Sequence, residues 1–393
     1  MSNIRNIVSK GINQLLAPAV FFALLMNFSS CIEPYTADVE EATDLISVEG
    51  SIIRGELVQT VVVTRTSAMV NPQFLPVRDC MVEVVDDQGA GFLFNENPDG
   101  TYTRTIPDEM LKIGRKYQLR VTTPRGERYE SSYERLNSGT EVDSVYYRVE
   151  DRIDKVAGEE LTGLQFYVDL EAADSISRYY RWSLEETYEY TSVAPISYYY
   201  LDESLEQYYP EYDTEFFRCW KTAGIKDLFL SSTKNLVMNE KKMIPLNYVS
   251  TESDRLKIKY SLLIRQYTMS ENAYRYWLNH KIATQEAGGL YTQQPGQPVS
   301  NIVNVDDSTE QVLGFFWASH KTEQRLTIPR INDLPVFGDP CDLVEFSFAD
   351  HGKGPFPMYI WVDPMSGIRY TSNRFCFVCT LKGGETQPPD WWE

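Results

Sequence analysis

The sequence predicts a mainly β protein with an N-terminal Ig-like β-sandwich followed by a larger β-rich domain that carries an inserted helix. Short runs rich in β-branched residues recur about every ten residues and end at turn signals. Longer runs with period-two alternation follow in the second half, and one segment has apolar residues at helical spacing. Hydrophobic residues make up 42% of the 393 residues, which is enough to build the cores of two or three domains and excludes wholesale disorder.

The N-terminal segment, residues 1–30, is predicted to be a signal peptide. Two basic residues precede the apolar run 15–28, which is shorter than the roughly 20 residues that a membrane span needs. The run ends in two serines and Cys31, and small residues before a Cys favour a bacterial lipoprotein signal with Cys31 as the acylated first mature residue. The alternative is an ordinary secretory signal in which this cysteine stands by chance. Residues 31–44 are predicted to be a tether from the lipid.

Residues 45–137 are predicted to form the Ig-like sandwich. The strand candidates in this region are 45–53, 60–66, 81–85, 92–94 and 117–121. Asp99-Gly100 favours a tight hairpin among them. The charged residues that follow, 138–163, are predicted to be a linker.

Residues 164–393 are predicted to form the second, β-rich domain. Its strand candidates are 164–170, 179–185, 257–267, 310–319, 326–328, 343–348 and 358–362. A helix is predicted at about 270–287, because apolar residues recur at helical spacing between Ser270, a suitable N-cap, and Gly288-Gly289, a suitable end.

The charge of the chain bears on its partners. Lys and Arg total 37 against 56 Asp and Glu, which gives a formal net charge of −19. A phosphate backbone is bound by clustered basic side chains, so we expect no nucleic acid partner. No other apolar run approaches spanning length, so the protein is expected to meet the membrane through the lipid on Cys31, where two or three acyl chains anchor stably and one does not.

The remaining cysteines are disulfide candidates in an oxidising compartment: Cys80, Cys219, Cys341, Cys376 and Cys379. They allow at most two bridges and leave one thiol. Cys376 and Cys379 form a C-x-x-C motif, for which structural disulfides are favoured and a redox pair or a metal site are the alternatives. No thioredoxin-like βαβ pattern surrounds the motif, and no second pair has metal-ligand spacing. The sequence does not determine which of these cysteines pair with one another.

Residues 182–217 contain no Lys or Arg and are rich in Tyr and acidic residues. Tyr offers a rigid apolar face and one hydroxyl at low entropic cost, and carboxylates attract cations or a basic partner. A ligand or partner surface is therefore one interpretation, formed by Tyr188, Tyr190, Tyr198, Tyr199, Tyr200, Tyr208, Tyr209 and Tyr212. The alternatives are a solvated insertion whose tyrosines pack on its own strands, and a calcium site, for which the usual acidic loop motif is missing.

The common catalytic motifs are absent from the sequence. It contains no H-E-x-x-H, no P-loop, no G-x-S-x-G and no proper G-x-G-x-x-G. We therefore predict no catalytic residues, no metal and no cofactor. His280, on the polar side of the predicted helix, and His320, at a predicted strand end, are expected to be solvated, and His351 lies in a Gly-rich loop.

An ordered series of motifs carries a family resemblance. The motifs are YSLLIRQY at 260–267, AYRYW at 273–277, GGLY at 288–291, VLGFF at 312–316, CFVCTLKGG at 376–384 and DWW at 390–392, with CIEP at 31–34 and VEG at 48–50. In these motifs the chain resembles the Bacteroidota lipoproteins catalogued as a domain of unknown function, number 4249. The Tyr-rich stretch and Ser300, where the family has Gly, depart from the pattern.

The resemblance implies an outer-membrane lipoprotein, on the cell surface or the periplasmic face, whose partner is a TonB-dependent receptor. The implied role is a non-enzymatic accessory that captures a small nutrient and passes it to the receptor. Lipid anchoring keeps such a protein concentrated beside the receptor, so weak contacts suffice. Two alternatives are a structural or assembly lipoprotein of an outer-membrane complex and a surface enzyme that acts on glycan or peptide.

Replacing the predicted lipid attachment site tests the membrane assignment. Cys31→Ala is expected to move the protein from the membrane pellet to the soluble fraction, because alanine has no sulfur to carry the acyl chains. Ultracentrifugation and immunoblotting measure the distribution, with Cys80→Ala as a control that stays in the pellet. Retention of the Cys31→Ala protein in membranes that lack its partner contradicts a lipoprotein.

Overall fold

A computed structural model of the chain describes residues 44–67, 72–153, 158–173, 177–201, 204–207, 216–285, 299–338, 340–347 and 358–393. These residues form four β-sheets and one α-helix, which confirms a mainly β fold with an inserted helix. The predicted signal peptide and Cys31 lie outside the described residues. Short 3₁₀ turns occur at Asp108–Met110, Asp254–Leu256, Arg374–Cys376 and Cys379–Lys382.

The largest sheet has nine strands and draws on both halves of the chain. In spatial order its strands are β16 (Arg218–Ser232), β13 (Tyr179–Thr191), β18 (Lys259–Thr268), β20 (Phe316–Pro329), β1 (Ile46–Arg54), β2 (Val58–Arg65), β7 (Thr101–Thr105) and β6 (Asn95–Glu96), with β3 (Leu75–Pro76) also paired to β2. β1 and β20 pair in parallel, and the other neighbours are antiparallel. This parallel pair joins the two predicted domains into one sheet.

A six-stranded sheet covers the β1–β2–β7 end of the large sheet. Its strands are β19 (Ile302–Asn304), β9 (Arg128–Ser131), β8 (Lys116–Thr122), β4 (Met81–Asp86) and β5 (Gly91–Leu93), with β10 (Glu134–Arg135) paired to β8. The core between the two sheets includes Val48, Val61, Val84, Tyr102, Tyr117, Leu119, Phe316 and Ala318. The predicted boundary at residue 137 is therefore wrong as a division between two sheets, because β19 and β20 complete this sandwich.

A three-stranded sheet covers the β13–β18 end on the same side. Its strands are β11 (Ser144–Ile153), β12 (Glu160–Glu171) and β17 (Glu240–Ser250). The core beneath it includes Leu164, Phe166, Val168, Trp182, Leu184, Tyr260 and Leu262. β11 lies within the predicted linker 138–163, so that prediction is wrong here. β11 is an edge strand with mostly exposed residues, and its charged composition therefore looked like that of a loop.

The last sheet has five short strands and packs on the C-terminal segment. Its strands are β15 (Ser204–Gln207), β14 (Tyr198–Leu201), β22 (Tyr359–Val362), β23 (Arg369–Thr371) and β21 (Val344–Glu345). Two disulfides hold this region, Cys219–Cys379 and Cys341–Cys376, and Cys80 is a half-buried free thiol. The two cysteines of the C-x-x-C motif therefore bond to distant partners and not to each other.

Alternation along β20 separates the two faces of the large sheet. Phe316, Ala318 and Ile328 point into the two cores just described, whereas Trp317 points to the opposite face. Helix α1 (Glu271–Gln285) packs on that opposite face.

The start of α1 agrees with its predicted N-cap. The Ala273 N–H donates to the Ser270 Oγ at 3.1 Å, which satisfies one of the free donors of the first turn. The predicted end at Gly288-Gly289 lies outside the described residues.

The cysteine pairing gives a mapping prediction. Peptide mass mapping without reduction is expected to recover 219–379 and 341–376 cross-links and an alkylated Cys80, whose thiol pKa is raised by burial. Loop-closure entropy assigns about 5 kcal/mol to the first bridge, with a sequence separation of 160, and about 4 kcal/mol to the second, with a separation of 35. Cys219→Ala is therefore expected to lower the free energy of unfolding somewhat more than Cys341→Ala. A peptide that links Cys376 to Cys379 contradicts this arrangement.

Candidate functional site

Aromatic side chains from α1 and the large sheet meet on the helix-covered face. Tyr276 and Phe315 stack with ring centroids 4.7 Å apart. Trp317 contacts the edges of Trp277 and Tyr267, with centroid distances of 6.2 and 5.6 Å. Offset and edge contacts of this kind add to the stability gained by burial and hold the rings in fixed orientations.

The backbone next to β1 places Phe315. The Val48 N–H donates to the Leu313 carbonyl at 3.0 Å, and the Gly50 N–H donates to the Phe315 carbonyl at 3.2 Å. Gly314 between them has a φ of +88°, and a Cβ there would lie 2.1 Å from the carbonyl oxygen of Val48. Only glycine fits this close approach, so residue 314 fixes where the Phe315 ring points.

Arg181 on β13 enters the aromatic cluster from its side. The carbon at the centre of its guanidinium lies 4.2 Å from the Trp277 ring centroid, and 5.5 and 5.6 Å from those of Tyr267 and Trp317. Its Nε is buried and has no hydrogen-bond partner. Burial lowers the pKa of Arg181, against the opposing influence of Tyr267 and Glu56, although an arginine stays charged at any physiological pH.

Stacking offsets only part of the cost of enclosing the Nε of this half-buried cation. A cation–π contact contributes about 0.5 to 2 kcal/mol, whereas a buried donor without an acceptor costs about 1 to 3 kcal/mol, and more when it is charged. Ion pairs within the described part of the chain do not include Arg181. The guanidinium therefore has hydrogen-bonding capacity that the described residues leave unused.

A second stacked arginine on the same sheet face provides a comparison. Arg325 lies 3.5 Å from the Trp391 ring centroid, and it also donates to the Ser261 hydroxyl at 3.3 Å and pairs with Glu185 at 3.8 Å. Stacking on tryptophan is thus compatible with polar partners on this face. Arg181 differs from Arg325 because the described residues provide no hydrogen-bond or ion-pair partner for it.

A cavity of about 270 Å³ opens beside Arg181. Its lining includes Glu49, Ser51, Thr60, Arg181, Tyr276, Trp277, Phe315 and Trp317. A second cavity of about 250 Å³ shares Tyr276 and Phe315 and adds polar groups such as Asn272, Arg275, Asn279 and Asn301. A lining that combines aromatic rings with a few polar groups is typical of small-molecule sites. We call the first cavity the Arg181 pocket.

A larger cavity of about 540 Å³ lies at the N-terminal end of α1, between β10 and β13. Three of its four charged groups are matched within the protein, and the fourth, Arg135, is exposed. Lys234 Nζ lies 2.6 Å from Glu271 Oε1, and Arg178 donates to the carbonyls of Thr233 and Leu236 at 3.2 and 2.7 Å. The Arg181 pocket is the better candidate because its cation has no such partner.

The first two residues of the predicted tyrosine surface lie on β13, a central strand of the large sheet. Tyr190 is 1% exposed, and its hydroxyl donates to the Cys379 carbonyl at 2.7 Å. Tyr188 is half-buried and packs against Tyr190 with centroids 5.5 Å apart. The prediction of a ligand surface is wrong for Tyr190, because the C-terminal segment covers it.

The other predicted tyrosines fall in or beyond the small sheet. Tyr198 and Tyr199 are half-buried on β14, and Tyr199 packs on the cluster around Phe377. Tyr200 belongs to the same strand, but the structure does not describe its side chain. Tyr208, Tyr209 and Tyr212 lie outside the described residues.

Two histidines expected at the surface are more enclosed than predicted. His280 stacks on Trp277 with ring centroids 6.0 Å apart, and its buried Nδ1 has no hydrogen-bond partner. His320 lies inside β20, where its Nδ1 accepts from the Gly139 N–H at 2.7 Å and burial lowers its pKa. His351 lies outside the described residues.

Sequence reasoning missed Arg181, Trp317 and Phe315 as site residues. The helical spacing did single out Trp277, and Phe315 stood in one of the family motifs. The alternation of side chains along β13 could have identified Arg181. This residue stands between the core residues Tyr180 and Trp182, so its side chain points to the opposite face of the sheet.

The sequence model of the family described as a domain of unknown function (DUF4249) matches residues 32–325, so the chain belongs to this family. No curated protein matches the chain. In the segments that the structure describes, no helix combines the length and apolar character needed to cross a membrane.

Glu134 supports the helix that carries two of the pocket residues. This β10 carboxylate is 2% exposed and accepts from the Oγ of Ser270, the residue that caps α1. Burial raises the pKa of Glu134 to about 7, while hydrogen bonds from Ser270 and Asn301 oppose the shift. The N-terminal end of α1 is thus joined to the sandwich by a carboxyl that titrates near neutral pH.

The raised pKa of Glu134 predicts a pH dependence. The folded protein binds a proton here that the unfolded chain loses above about pH 4.5, so the free energy of unfolding falls as the pH rises from about 4.5 to 7. The loss at pH 8 is about 3 kcal/mol relative to pH 4.5. Glu134→Gln keeps an acceptor for Ser270 and is expected to remove this contribution, measured by urea unfolding at pH 5 and pH 8.

The exposed Glu345 on β21 provides the matched control, and Glu345→Gln is expected to unfold like the native protein at both pH values. An equal stability difference between native protein and Glu134→Gln at pH 5 and pH 8 contradicts a raised pKa.

Proposed function

We propose that the protein is an outer-membrane lipoprotein that serves as a non-enzymatic accessory, or nutrient-binding component, of a TonB-dependent import system. In this role it captures a small solute in the Arg181 pocket and passes it to the receptor. The lipid on Cys31 holds it at the membrane beside that receptor.

The membrane part of the proposal is supported by the N-terminal sequence. The basic start, the short apolar run and the small residues before Cys31 have the order of a lipoprotein signal. The match to the family begins at residue 32, directly after that cysteine. Cleavage at the predicted site would thus leave the matched region intact.

The observation that carries the binding role is the unpaired cation in a cavity with aromatic walls. The rings of Tyr276, Trp277, Phe315 and Trp317 are held by contacts with one another, so the cavity exists without a ligand. A preformed site loses little conformational entropy on binding. A half-buried guanidinium whose Nη groups bond to no described residue gives such a site a preference for one kind of ligand.

Anchoring makes a modest affinity sufficient for transfer. Residues 31–44 span at most about 50 Å when fully extended, so the folded part would stay near the membrane surface. Confinement of this kind raises the effective concentration of the protein beside a receptor in the same membrane. A weak and reversible complex with the receptor then suits repeated delivery of solute.

The proposal is tested by isolating the tagged full-length protein from its own membranes in mild detergent. A TonB-dependent receptor is expected in stoichiometric amount, identified by mass spectrometry. An unrelated tagged outer-membrane lipoprotein from the same cells controls for receptors that are merely abundant. Recovery of the protein alone, or with outer-membrane proteins that are not transporters, contradicts the importer role and favours an assembly role.

A further inference from the structure

The donors of Arg181 are oriented for a ligand. Its flat face is occupied by Trp277, at 4.2 Å from the ring centroid, whereas the N–H groups of a guanidinium lie in its plane and are left free by stacking. The Nε is buried and is not reached from the pocket, so a ligand meets the two Nη groups, to which no described residue forms a hydrogen bond. Charged groups enclosed in proteins are normally paired. No described residue pairs with Arg181, and we expect a ligand in the pocket to supply that partner.

The walls of the pocket specify the body of that ligand. Trp277 and Tyr276 contribute from the helix, and Trp317 and Phe315 from the sheet side. Tyr276 and Phe315 stack on each other and Trp277 stacks with Arg181, so a flat ring packs against the remaining faces and the edges of these fixed rings. The side chains of Ser51 and Thr60 add hydroxyl groups to the lining, beside the Tyr276 hydroxyl and the indole N–H groups of Trp277 and Trp317.

The charge around the pocket decides which anion fits. A guanidinium binds both carboxylates and phosphates through paired hydrogen bonds. Glu49 also lines the pocket, and the whole chain carries a net charge of −19, so each additional negative charge on a ligand is repelled. A carboxylate carries a single charge, whereas a phosphate ester carries nearly two at neutral pH. The balance favours the carboxylate.

We infer that the Arg181 pocket binds a small organic carboxylate with a flat apolar ring, its carboxylate on the Arg181 guanidinium and its ring between the aromatic walls. This inference rests on the proposed binding function and names the class of solute. Arg181 is the residue that selects the anion, and the aromatic rings select the body of the ligand.

Calorimetric titration of the full-length protein in detergent tests this inference. The probes are phenylacetate and 2-naphthoate, their neutral amides, and phenyl phosphate. At least one carboxylate is expected to bind ten-fold or more tightly than its own amide and than phenyl phosphate. Quenching of tryptophan fluorescence by phenylacetate provides a second readout, because Trp277 and Trp317 line the pocket.

Variants then assign the preference to one residue. Arg181→Gln is expected to lower carboxylate affinity at least ten-fold and to leave amide affinity within two-fold of the native value. Arg181→Lys keeps the charge without the flat donor pattern and is expected to lie between the two. Arg325→Gln removes another tryptophan-stacked arginine outside the pocket and is expected to bind like the native protein. Circular dichroism verifies that each variant is folded.

The inference is overturned if no carboxylate binds, if acid and amide bind equally, or if Arg325→Gln weakens binding as much as Arg181→Gln. If Arg181→Gln does not fold, the affinities of the native protein for the acid and for its amide still test the inference. Recovery of a TonB-dependent receptor without carboxylate binding leaves the importer role standing and removes the ligand class. Carboxylate binding without recovery of a receptor supports the ligand class and contradicts the importer role.

Discussion

The parallel pairing of β1 with β20 is the constraint on which the rest of the structure depends. Gly50 to Arg54 lie beside Phe316 to His320, and this contact joins two groups of strands into one nine-stranded sheet. The sandwich core gains Phe316 from the same strand that carries Trp317 on the other face. The lining of the Arg181 pocket likewise includes residues of β1, β2 and β20, so this pairing brings together parts of both the sandwich core and the pocket.

The pocket also shows where the protein departs from the rules that stabilise it elsewhere. Most charged side chains on the helix-covered face are matched, as Arg265 is with Glu185 at 3.0 Å and with Glu323 at 3.7 Å. Arg181 is enclosed by aromatic rings and has no such partner. Unpaired polar groups of this kind are concentrated at functional sites, because a group whose hydrogen bonds are all formed within the protein cannot bond to a ligand.

The sequence predicted correctly the features that depend on neighbouring residues, and it did not predict contacts between residues far apart in the chain. Ser270 and the helical spacing that follows it predicted α1, because a cap and an amphipathic face involve residues within a few positions of one another. Tyr190 looked like a surface residue because the segment that covers it lies 189 residues further along the chain. The aromatic residues of α1 were visible in the sequence, but their partner Arg181 is brought to them only by the order of strands in the sheet.

The sequence by itself determined the β-rich class and the inserted helix, because each follows from composition or spacing within a short window. The tertiary structure decided which cysteines pair, which strands join across the predicted boundary, and which side chains surround Arg181. These depend on contacts between residues far apart in the chain. No local pattern specifies such contacts, because they form only when whole strands find their register and bury their faces together.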